Sequence, residues 1–315
     1  MKKLTKILSI ATLAISPIIA STPAIAEYPE RPVKFVVPWP PGDIEDIVTR
    51  LIAEEMSKQT GTPASVINKP GGGGIVGALD VAQSRPDGLT VGSFVIDILT
   101  THIHSGNAPY DQSTFEPVGI FLDFPFVIAT KADAPYNNLK ELAEHSQDND
   151  ISLGHFGYQA IPTAITFKAA AQEDIRIASD AAFDMVDCST LATGDADIIN
   201  TNTQTILSCL KSGEVKLLAT ITRERLSIAP EVPTLAELTG ITQTPWNGLF
   251  VKKGTPDEVK EKIAEIAQAA LKSDRITELS NTTGVGIYWI GGSAAEEQVA
   301  KDFESSKGLL EFMNK

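Results

Sequence analysis

Apolar and polar residues follow two recurring patterns along the chain, and these patterns predict a series of strands and helices. Short apolar runs rich in β-branched residues lie at Val33–Val37, 64–67 and 89–96, and they flank stretches of helical periodicity at 44–59 and 75–83. A strand, a helix and a further strand in succession are typical of βαβ units. The order therefore predicts a parallel α/β unit in the first third of the chain.

The same alternation resumes after 123–125 and predicts a second α/β unit. Its predicted strands are 126–130, 151–154, 196–200 and 215–221, and its predicted helices are 139–144, 163–172 and 205–210. A later strand, 249–252, and an amphipathic helix, 256–271, are expected to return to the first unit. The pattern predicts one lobe over 27–125 and 246–315 and another over 126–245. Because open α/β sheets bind ligands at the carboxyl ends of their strands, we expect the site in strand-to-helix turns facing a cleft.

The first 26 residues have the organisation of a secretory signal. Three lysines lie within the first six residues, an apolar run follows at 7–20, and the small-residue pattern Ala24-Ile25-Ala26 ends it. A single membrane anchor is the alternative, but the run is shorter than the roughly 20 residues that a spanning helix needs, and Pro17 interrupts it. We expect cleavage after Ala26, a mature chain from Glu27, and a location outside the cytoplasmic membrane.

Length and charge limit the classes of protein to consider. Removing 26 of 315 residues leaves 289, which favours two domains. Loss of the three lysines of the signal changes the formal net charge from −14 to −17. An acidic surface argues against nucleic acid and anionic lipid as partners, since phosphate contacts require Lys and Arg.

Cys188 and Cys209 are the two cysteines of the sequence, and export would bring both into an oxidising compartment. They lie on predicted consecutive helices on either side of the strand 196–200. Helices flanking one strand in a right-handed α/β unit can lie side by side. A disulfide is therefore the favoured prediction, and two separately buried thiols are the alternative.

The first strand-to-helix turn, residues 38–46, is the first candidate for ligand contact. It reads Pro38-Trp39-Pro40-Pro41-Gly42-Asp43-Ile44-Glu45-Asp46. Free N–H groups at a helix start favour anions, so this turn is a candidate carboxylate site. The alternative is that the prolines and the glycine merely turn the chain while Asp43 or Asp46 caps the helix.

A glycine-rich loop provides the best sequence case for an enzyme. Gly72, Gly74 and Gly77 satisfy G-x-G-x-x-G after a predicted strand, and Asp97 follows at the end of the next strand, where a ribose-binding acid would lie. Against a dinucleotide-dependent oxidoreductase, the Rossmann unit would have to begin at the second strand of the chain. The sequence has no nucleophile elbow either, so we expect no enzyme activity and no cofactor.

His102 and His104 have a spacing that could suggest a metal site. No third ligand is evident in the sequence, and a zinc site needs at least three protein ligands. We therefore interpret the pair as incidental and expect no bound metal.

Several short motifs, taken in order, carry a family resemblance. They are 28–46, the 68–77 loop with Pro86-Asp87-Gly88, Pro109-Tyr110-Asp111 with 115–118, 194–197, Val232-Pro233-Thr234 with Glu237, and 246–250 with Gly254-Thr255-Pro256. Their order and spacing resemble the Bug family, the extracytoplasmic solute receptors of tripartite tricarboxylate transporters. The resemblance covers essentially the whole mature chain.

The resemblance implies a periplasmic, monomeric binding protein with a two-lobed, type II-like α/β fold. Such a protein delivers a small carboxylate solute to the integral-membrane permease of the transporter; a sensor that reports to a membrane kinase is an alternative. The ligand loops of the family map onto these residues: Trp39, Gly42, Asp43, Ile44, Glu45, Asp46, Asp97, Phe156, Gly157, Tyr158, Phe183, Asp184, Thr201 and Asn202.

Departures from the family pattern suggest the chemistry of the solute. Asp43, Ile44 and Glu45 replace small residues of the first loop, Asp97 replaces a small hydroxyl residue, and aromatic residues enter the 155–162 loop. Unpaired carboxylates in a closing cleft lose solvation and repel one another. We therefore expect a solute with a positive or metal-bound centre. The alternative is that Asp43 and Glu45 face solvent and that only one acid caps the helix.

Overall fold

A computed structural model describes residues 28–183 and 185–313, which form an α/β fold. The signal segment, the expected cleavage point after Ala26, and Asp184 lie outside the described residues. In chain order the strands are β1 (Val33–Val37), β2 (Ala64–Asn68), β3 (Thr90–Val95), β4 (Phe115–Asp123), β5 (Phe126–Lys131), β6 (Ile151–His155), β7 (Ile177–Ala182), β8 (Ile198–Asn202), β9 (Val215–Thr220), β10 (Trp246–Lys252) and β11 (Gly286–Gly291).

Helices connect most of these strands. In chain order they are α1 (Ile44–Thr60), α2 (Ile75–Ala82), α3 (Ile96–Leu99), α4 (Thr101–His104), α5 (Leu139–Ser146), α6 (Ile161–Gln172), α7 (Cys188–Ala192), α8 (Leu207–Ser212), α9 (Leu235–Thr239), α10 (Asp257–Leu271), α11 (Asp274–Thr283) and α12 (Gly292–Met313). None of the helices in the described part of the chain is both long and apolar enough to cross a membrane.

The first sheet has the strand order β11-β4-β10-β3-β1-β2. Strands β2, β1 and β3 are parallel, with Phe35 opposite Val66 on one side and Val91 on the other. Strand β10 is antiparallel to both of its neighbours, β3 and β4, and β11 is antiparallel to β4. The predicted parallel unit is therefore confirmed for three strands, whereas β4 and β11, which were not predicted, complete the sheet in a mixed arrangement.

The second sheet repeats this plan with the order β7-β6-β8-β5-β9. Strands β7, β6 and β8 are parallel, and β5 is antiparallel to β8 and β9. The prediction of an α/β fold with two units is confirmed. We name the part built on the six-stranded sheet the first lobe and the part built on the five-stranded sheet the second lobe. The chain changes sheets between β4 and β5 and again between β9 and β10. The lobe boundaries at 125/126 and 245/246 stay our proposal.

Helix α12 links the two lobes at the end of the described chain. It packs against β4 of the first lobe and against α6 of the second. The indole Nε1–H of Trp246, in β10, donates a 2.7 Å hydrogen bond to the buried carboxyl of Asp302, in α12. The helix thereby braces the segment at which the chain returns to the first lobe.

The disulfide is present between Cys188 and Cys209, as predicted. It joins α7 to α8, the two helices on either side of β8. Both of its ends therefore lie in the second lobe.

A buried acidic residue marks the junction between β4 and the second lobe. Asp123 is 5% exposed, and its carboxylate pairs with Nε of Arg223 at 2.7 Å and accepts a 2.7 Å hydrogen bond from the Tyr288 hydroxyl. The Arg223 guanidinium lies 5.0 Å from the centre of the Tyr288 ring. Burial raises the pKa of Asp123 above its usual value, and Arg223 opposes that rise. The pairing at this crossing keeps an otherwise costly carboxylate in place.

Substituting Arg223→Met should therefore destabilise the protein by about 2 kcal/mol, because it leaves a buried carboxylate without its charged partner. Urea unfolding at pH 7 measures the change. Arg225→Met is the matched control, since Arg225 pairs with Glu237 in an exposed ion pair that contributes about 0–1 kcal/mol. Equal losses for the two variants would contradict a structural role for the Asp123 pairing.

Candidate functional site

A cavity of about 450 Å³ lies between the two lobes. From the first lobe and the crossings it is lined by Trp39, Asp43, Ile44, Glu45, Gly73, Val95, Asp97, His102, Phe124 and Pro245. From the second lobe it is lined by Phe126, Phe156, Gly157, Tyr158, Gln159, Ala160, Pro162, Phe183, Asn202 and Gln204. The volume lies in the usual range for a small-molecule site, roughly 300–1,000 Å³.

The loop between β1 and α1 is held in shape by Asp46. Gly42 adopts a φ of +106°, which favours glycine, and its N–H donates to the Asp46 carboxylate at 3.0 Å. Arg50 donates two further hydrogen bonds to Asp46, both at 2.9 Å, and Asn68 donates one at 2.8 Å. Burial alone would raise the pKa of Asp46, but these donors hold it below its usual value. Asp46 therefore supports the loop from behind and does not line the cavity.

Asp43 and Glu45 belong to the same loop and helix start, and both line the cavity. Asp43 occupies the N-cap position of α1, but its side chain accepts no capping hydrogen bond. Glu45 is 3% exposed. Burial raises the pKa of Glu45 to about 8, Asp43 and Asp46 add to the rise, and the Glu45 backbone N–H opposes it. Burial, together with Asp46, also raises the pKa of Asp43. Both acids thus occupy a place where ionisation is costly.

Asp97 connects the first lobe to the second. It lies in the first turn of α3, just after β3, and its Oδ1 accepts a 2.8 Å hydrogen bond from the backbone N–H of Ile161, the first residue of α6. Helix α6 has no side-chain cap of its own. The carboxylate therefore caps that helix from the opposite lobe. Burial raises the pKa of Asp97 to about 7, against the lowering effect of the Ile161 N–H.

Two further hydrogen bonds cross the cleft. The Thr101 hydroxyl donates to the carbonyl of Gln159 at 2.7 Å. The side-chain N–H of Gln204 donates to the carbonyl of Gly42 at 3.0 Å. Together with the Asp97 bond, these contacts hold the lobes around the cavity.

A polar cluster shapes the 155–160 loop of the second lobe. Buried His155 lies 2.9 Å through Nε2 from Asp180, and its Nδ1 accepts a 2.9 Å hydrogen bond from the Gly157 N–H. Nε2 is therefore the protonated nitrogen in the neutral ring. The Tyr158 hydroxyl also donates to Asp180, at 2.5 Å. The cluster holds Phe156 and Gly157 at the cavity wall.

Aromatic side chains form much of the remaining wall. The Phe126 ring lies 5.9 Å from that of Phe156 and 6.1 Å from that of Phe124, in edge-to-face arrangements. Trp39 and Phe183 also line the cavity. This wall offers π faces to a planar or cationic group.

Some residues of the predicted site lie elsewhere. Gly42 contributes its carbonyl to the contact with Gln204 but does not line the cavity, and the buried Thr201 hydroxyl donates to the carbonyl of Val186. Asp184 lies outside the described residues. The ligand-binding role of the whole predicted set stays a prediction.

The sequence interpretation missed His102 and Gln204 as cavity residues. His102 is 6% exposed, and burial lowers the pKa of its ring. Its ring nitrogen Nδ1 is buried without a partner among the described residues, and so are Oε1 of Gln204 and the indole Nε1 of Trp39. Unpaired buried polar atoms are uncommon in proteins and indicate groups available to a ligand or a water molecule. The sequence signal for His102 was weak, because its spacing from His104 suggested an incidental pair. In the structure His104 bonds to the carbonyl of Phe303 and does not line the cavity.

The glycine-rich loop serves packing in this fold. It follows β2, the edge strand of the first sheet. A Cβ on Gly77 would approach Cβ of Pro38 to 2.8 Å, and one on Gly73 would approach the His102 ring to 2.7 Å. Among the residues that the structure describes, no cluster of three or more potential metal-ligating side chains occurs.

Comparison with known proteins gives a consistent result over most of the chain. A family model described as "Tripartite tricarboxylate transporter family receptor" matches residues 48–314. A UPF0065 protein of Bordetella pertussis is 28% identical over 293 residues, which cover 90% of each chain. The structure of the periplasmic binding protein BugD is similar with a TM-score of 0.75 and 28% identity, over 90% of this chain and 98% of that one. A TctC solute-binding protein from Polaromonas, solved without ligand, has a TM-score of 0.75 and 25% identity, over 90% of this chain and 99% of the other.

Proposed function

Because the chain belongs to the tripartite tricarboxylate transporter receptor family, whose members are periplasmic solute-binding proteins and not enzymes, we propose that it binds a carboxylate solute with a cationic centre. The resemblance to the Bug family and the two-lobed binding-protein fold are thereby confirmed. The dinucleotide-enzyme alternative is excluded by the same family membership.

The charge of the cavity carries the proposal. Asp43, Glu45 and Asp97 line it, whereas no lysine or arginine is among the described residues of its wall. A site for a plain dicarboxylate would need positive charges or many free N–H donors to offset two negative ones. This cavity offers carboxyl groups and no basic side chain instead.

A cationic centre relieves the unfavourable ionisation of these acids. Burial raises the pKa of Glu45 to about 8 and that of Asp97 to about 7, so in the unliganded cavity both hold their protons up to near-neutral pH. An opposite charge within a few ångströms favours the ionised carboxylate. The solute would therefore take the place of protons, and the aromatic wall would stack against its positive group.

The cavity also offers donors that suit a carboxylate. Trp39 Nε1–H, at the cavity wall, is buried without a partner among the described residues. Ile44 and Glu45, the first residues of α1, also line the cavity, and the positive end of a helix dipole attracts anions. A zwitterion would use both the acids and these donors.

We further propose that the chain is cleaved after Ala26 and passes its solute to the integral-membrane permease of a tripartite transporter. The family of receptors supports the partnership. In this role the binding energy is used to hold the lobes together and present a closed surface, as hinge-closing receptors do.

Thermal-shift measurements of the mature protein at pH 8 test the ligand class. The series runs from glycine to 6-aminohexanoate and is compared with succinate, glutarate, adipate and citrate, without added metal. We expect at least one ω-amino carboxylate to stabilise the protein, since a ligand at about 100 times its Kd adds roughly 2.7 kcal/mol, and we expect no dicarboxylate to do so.

Asp97→Asn is the matched variant. An amide oxygen can still accept the Ile161 N–H, so the lobe contact and the far-UV circular dichroism should persist while amino carboxylate binding weakens. Tight binding of succinate or citrate by the unaltered protein, unchanged in Asp97→Asn, would contradict the proposal.

A further inference from the structure

Two buried polar atoms at the cavity have no partner among the described residues, and they narrow the chemistry of the solute. Nδ1 of His102 and Oε1 of Gln204 are both buried and unpaired, and both side chains line the cavity between the lobes. Neither belongs to the carboxylate set described above. They lie on different elements, His102 on α4 of the first lobe and Gln204 just after β8 of the second.

The burial of His102 leaves its Nδ1 available to a ligand. Burial lowers the pKa of His102, so at pH 8 the ring is neutral and carries one N–H and one lone pair. Nδ1 is buried without a partner among the described residues, and the residue is 6% exposed. Because none of those residues fixes Nδ1 as a donor, a ligand N–H can pair with the tautomer in which Nδ1 holds the lone pair.

The contact of Gln204 settles its amide orientation in the same way. Its Nε2 donates to the Gly42 carbonyl at 3.0 Å, and that oxygen could not receive a bond from Oε1. Oε1 is therefore the atom left for the ligand. Because the Gly42 bond crosses the cleft, this acceptor is brought to the cavity by the approach of the two lobes.

We propose that His102 and Gln204 are specificity-determining residues that select a cationic centre carrying N–H groups over a fully alkylated one. The inference rests on the proposed function and deepens it. An aromatic and acidic cavity alone would accept a quaternary ammonium group as readily as a primary one, since both attract π faces and carboxylates. A quaternary group presents only C–H bonds and leaves both acceptors unpaired. A primary ammonium group has three N–H donors and can pair with them.

The test compares each ω-amino carboxylate, from glycine to 6-aminohexanoate, with its N-trimethylated counterpart by isothermal titration calorimetry at pH 8. In the unaltered protein we expect the amino form to bind at least tenfold more tightly than the trimethylated form. His102→Phe should lose about tenfold in affinity for the amino form while affinity for the trimethylated form stays unchanged. Gln204→Leu should show the same asymmetry.

Matched variants separate this role from a general effect on folding. His104→Phe changes the neighbouring histidine of α4, which bonds to α12, and should leave the amino-to-trimethyl ratio as in the unaltered protein. His102→Asn keeps an acceptor near the position of Nδ1 and should restore part of the ratio that His102→Phe loses.

The outcomes distinguish the two proposals. Equal or tighter binding of the trimethylated forms would overturn the role of His102 and Gln204 while leaving a cation-binding receptor in place. A ratio of ten or more that persists in both His102→Phe and Gln204→Leu would also overturn that role. Binding of dicarboxylates with neither amino nor trimethylated forms bound would overturn the proposed function itself.

Discussion

Replacing Glu45 with glutamine should stabilise the unliganded protein at pH 8 by about 2–4 kcal/mol. The carboxyl has a pKa of about 8 in the folded protein, well above its value of 4.5 in an unfolded chain, because it is buried at the cavity wall beside Asp43. Between these values the folded state holds a proton that the unfolded state has released. The contribution of Glu45 to stability is therefore greatest below pH 4.5 and is lost as the pH rises towards 8. Glutamine has no such titration.

Urea unfolding at pH 4.5 and at pH 8 measures this difference. The variant and the unaltered protein should be alike at pH 4.5 and should diverge at pH 8. Glu54→Gln is the control on the same helix, because Glu54 is exposed and pairs with Arg275 in solvent. A Glu45→Gln variant that is less stable than the unaltered protein at both pH values would refute the account of Glu45 as a costly buried acid.

The same substitution should weaken the binding of an ω-amino carboxylate at pH 8 by about tenfold, which corresponds to roughly 1.4 kcal/mol. Because the solute replaces protons on Glu45 and Asp97, its affinity for the unaltered protein should rise between pH 6 and pH 9. The rise should be shallower in Glu45→Gln. When a residue is kept for binding, its substitution is expected to raise the stability of the protein and to weaken its affinity for the solute. Titration calorimetry across this pH range measures the affinity.

Removing the disulfide with Cys188→Ser and Cys209→Ser together should lower the free energy of unfolding by about 3 kcal/mol. The bridge closes a loop over a sequence separation of 21 residues and restricts the unfolded chain. Because both ends lie in the second lobe, the solute affinity of the folded protein should change little.

Denaturant unfolding of the oxidised protein, the reduced protein and the double variant tests this expectation. Reduction should reproduce the loss in the unaltered protein and should have no effect on the variant. If the double variant lost more free energy of solute binding than free energy of unfolding, the bridge would shape the cavity. That result would contradict the expectation from its position between α7 and α8.

Much of the fold could be predicted from local patterns. The apolar strands β1, β3, β5 and β9 are bounded by turn residues, and α1 and α10 present a regular apolar face. Burial of one face or of a whole short run leaves a periodicity in the sequence. Strand β7 was not predicted, because it is an exposed edge strand with almost no apolar pattern.

The candidate site divides in the same way between sequence and structure. The sequence by itself indicated Asp43, Glu45 and Asp97, because carboxylates at these three positions depart from the pattern of the family that the chain resembles. It could not separate Asp46 from its neighbours. Only the tertiary structure gives Asp46 the partners Arg50 and Asn68 and leaves Glu45 without an equivalent donor.

What the sequence by itself determined is the α/β class, the two units, the cysteine pair and the acidic character of the first loop. These features depend on residue type and on spacing over a few turns of chain. Only the tertiary structure decided that Asp97 caps α6 and that His102 and Gln204 face the same cavity. Asp97 and Ile161 are 64 positions apart along the chain, and His102 and Gln204 are more than a hundred positions apart. Folding brings such distant groups together, and it thereby decides which buried polar atoms find a partner.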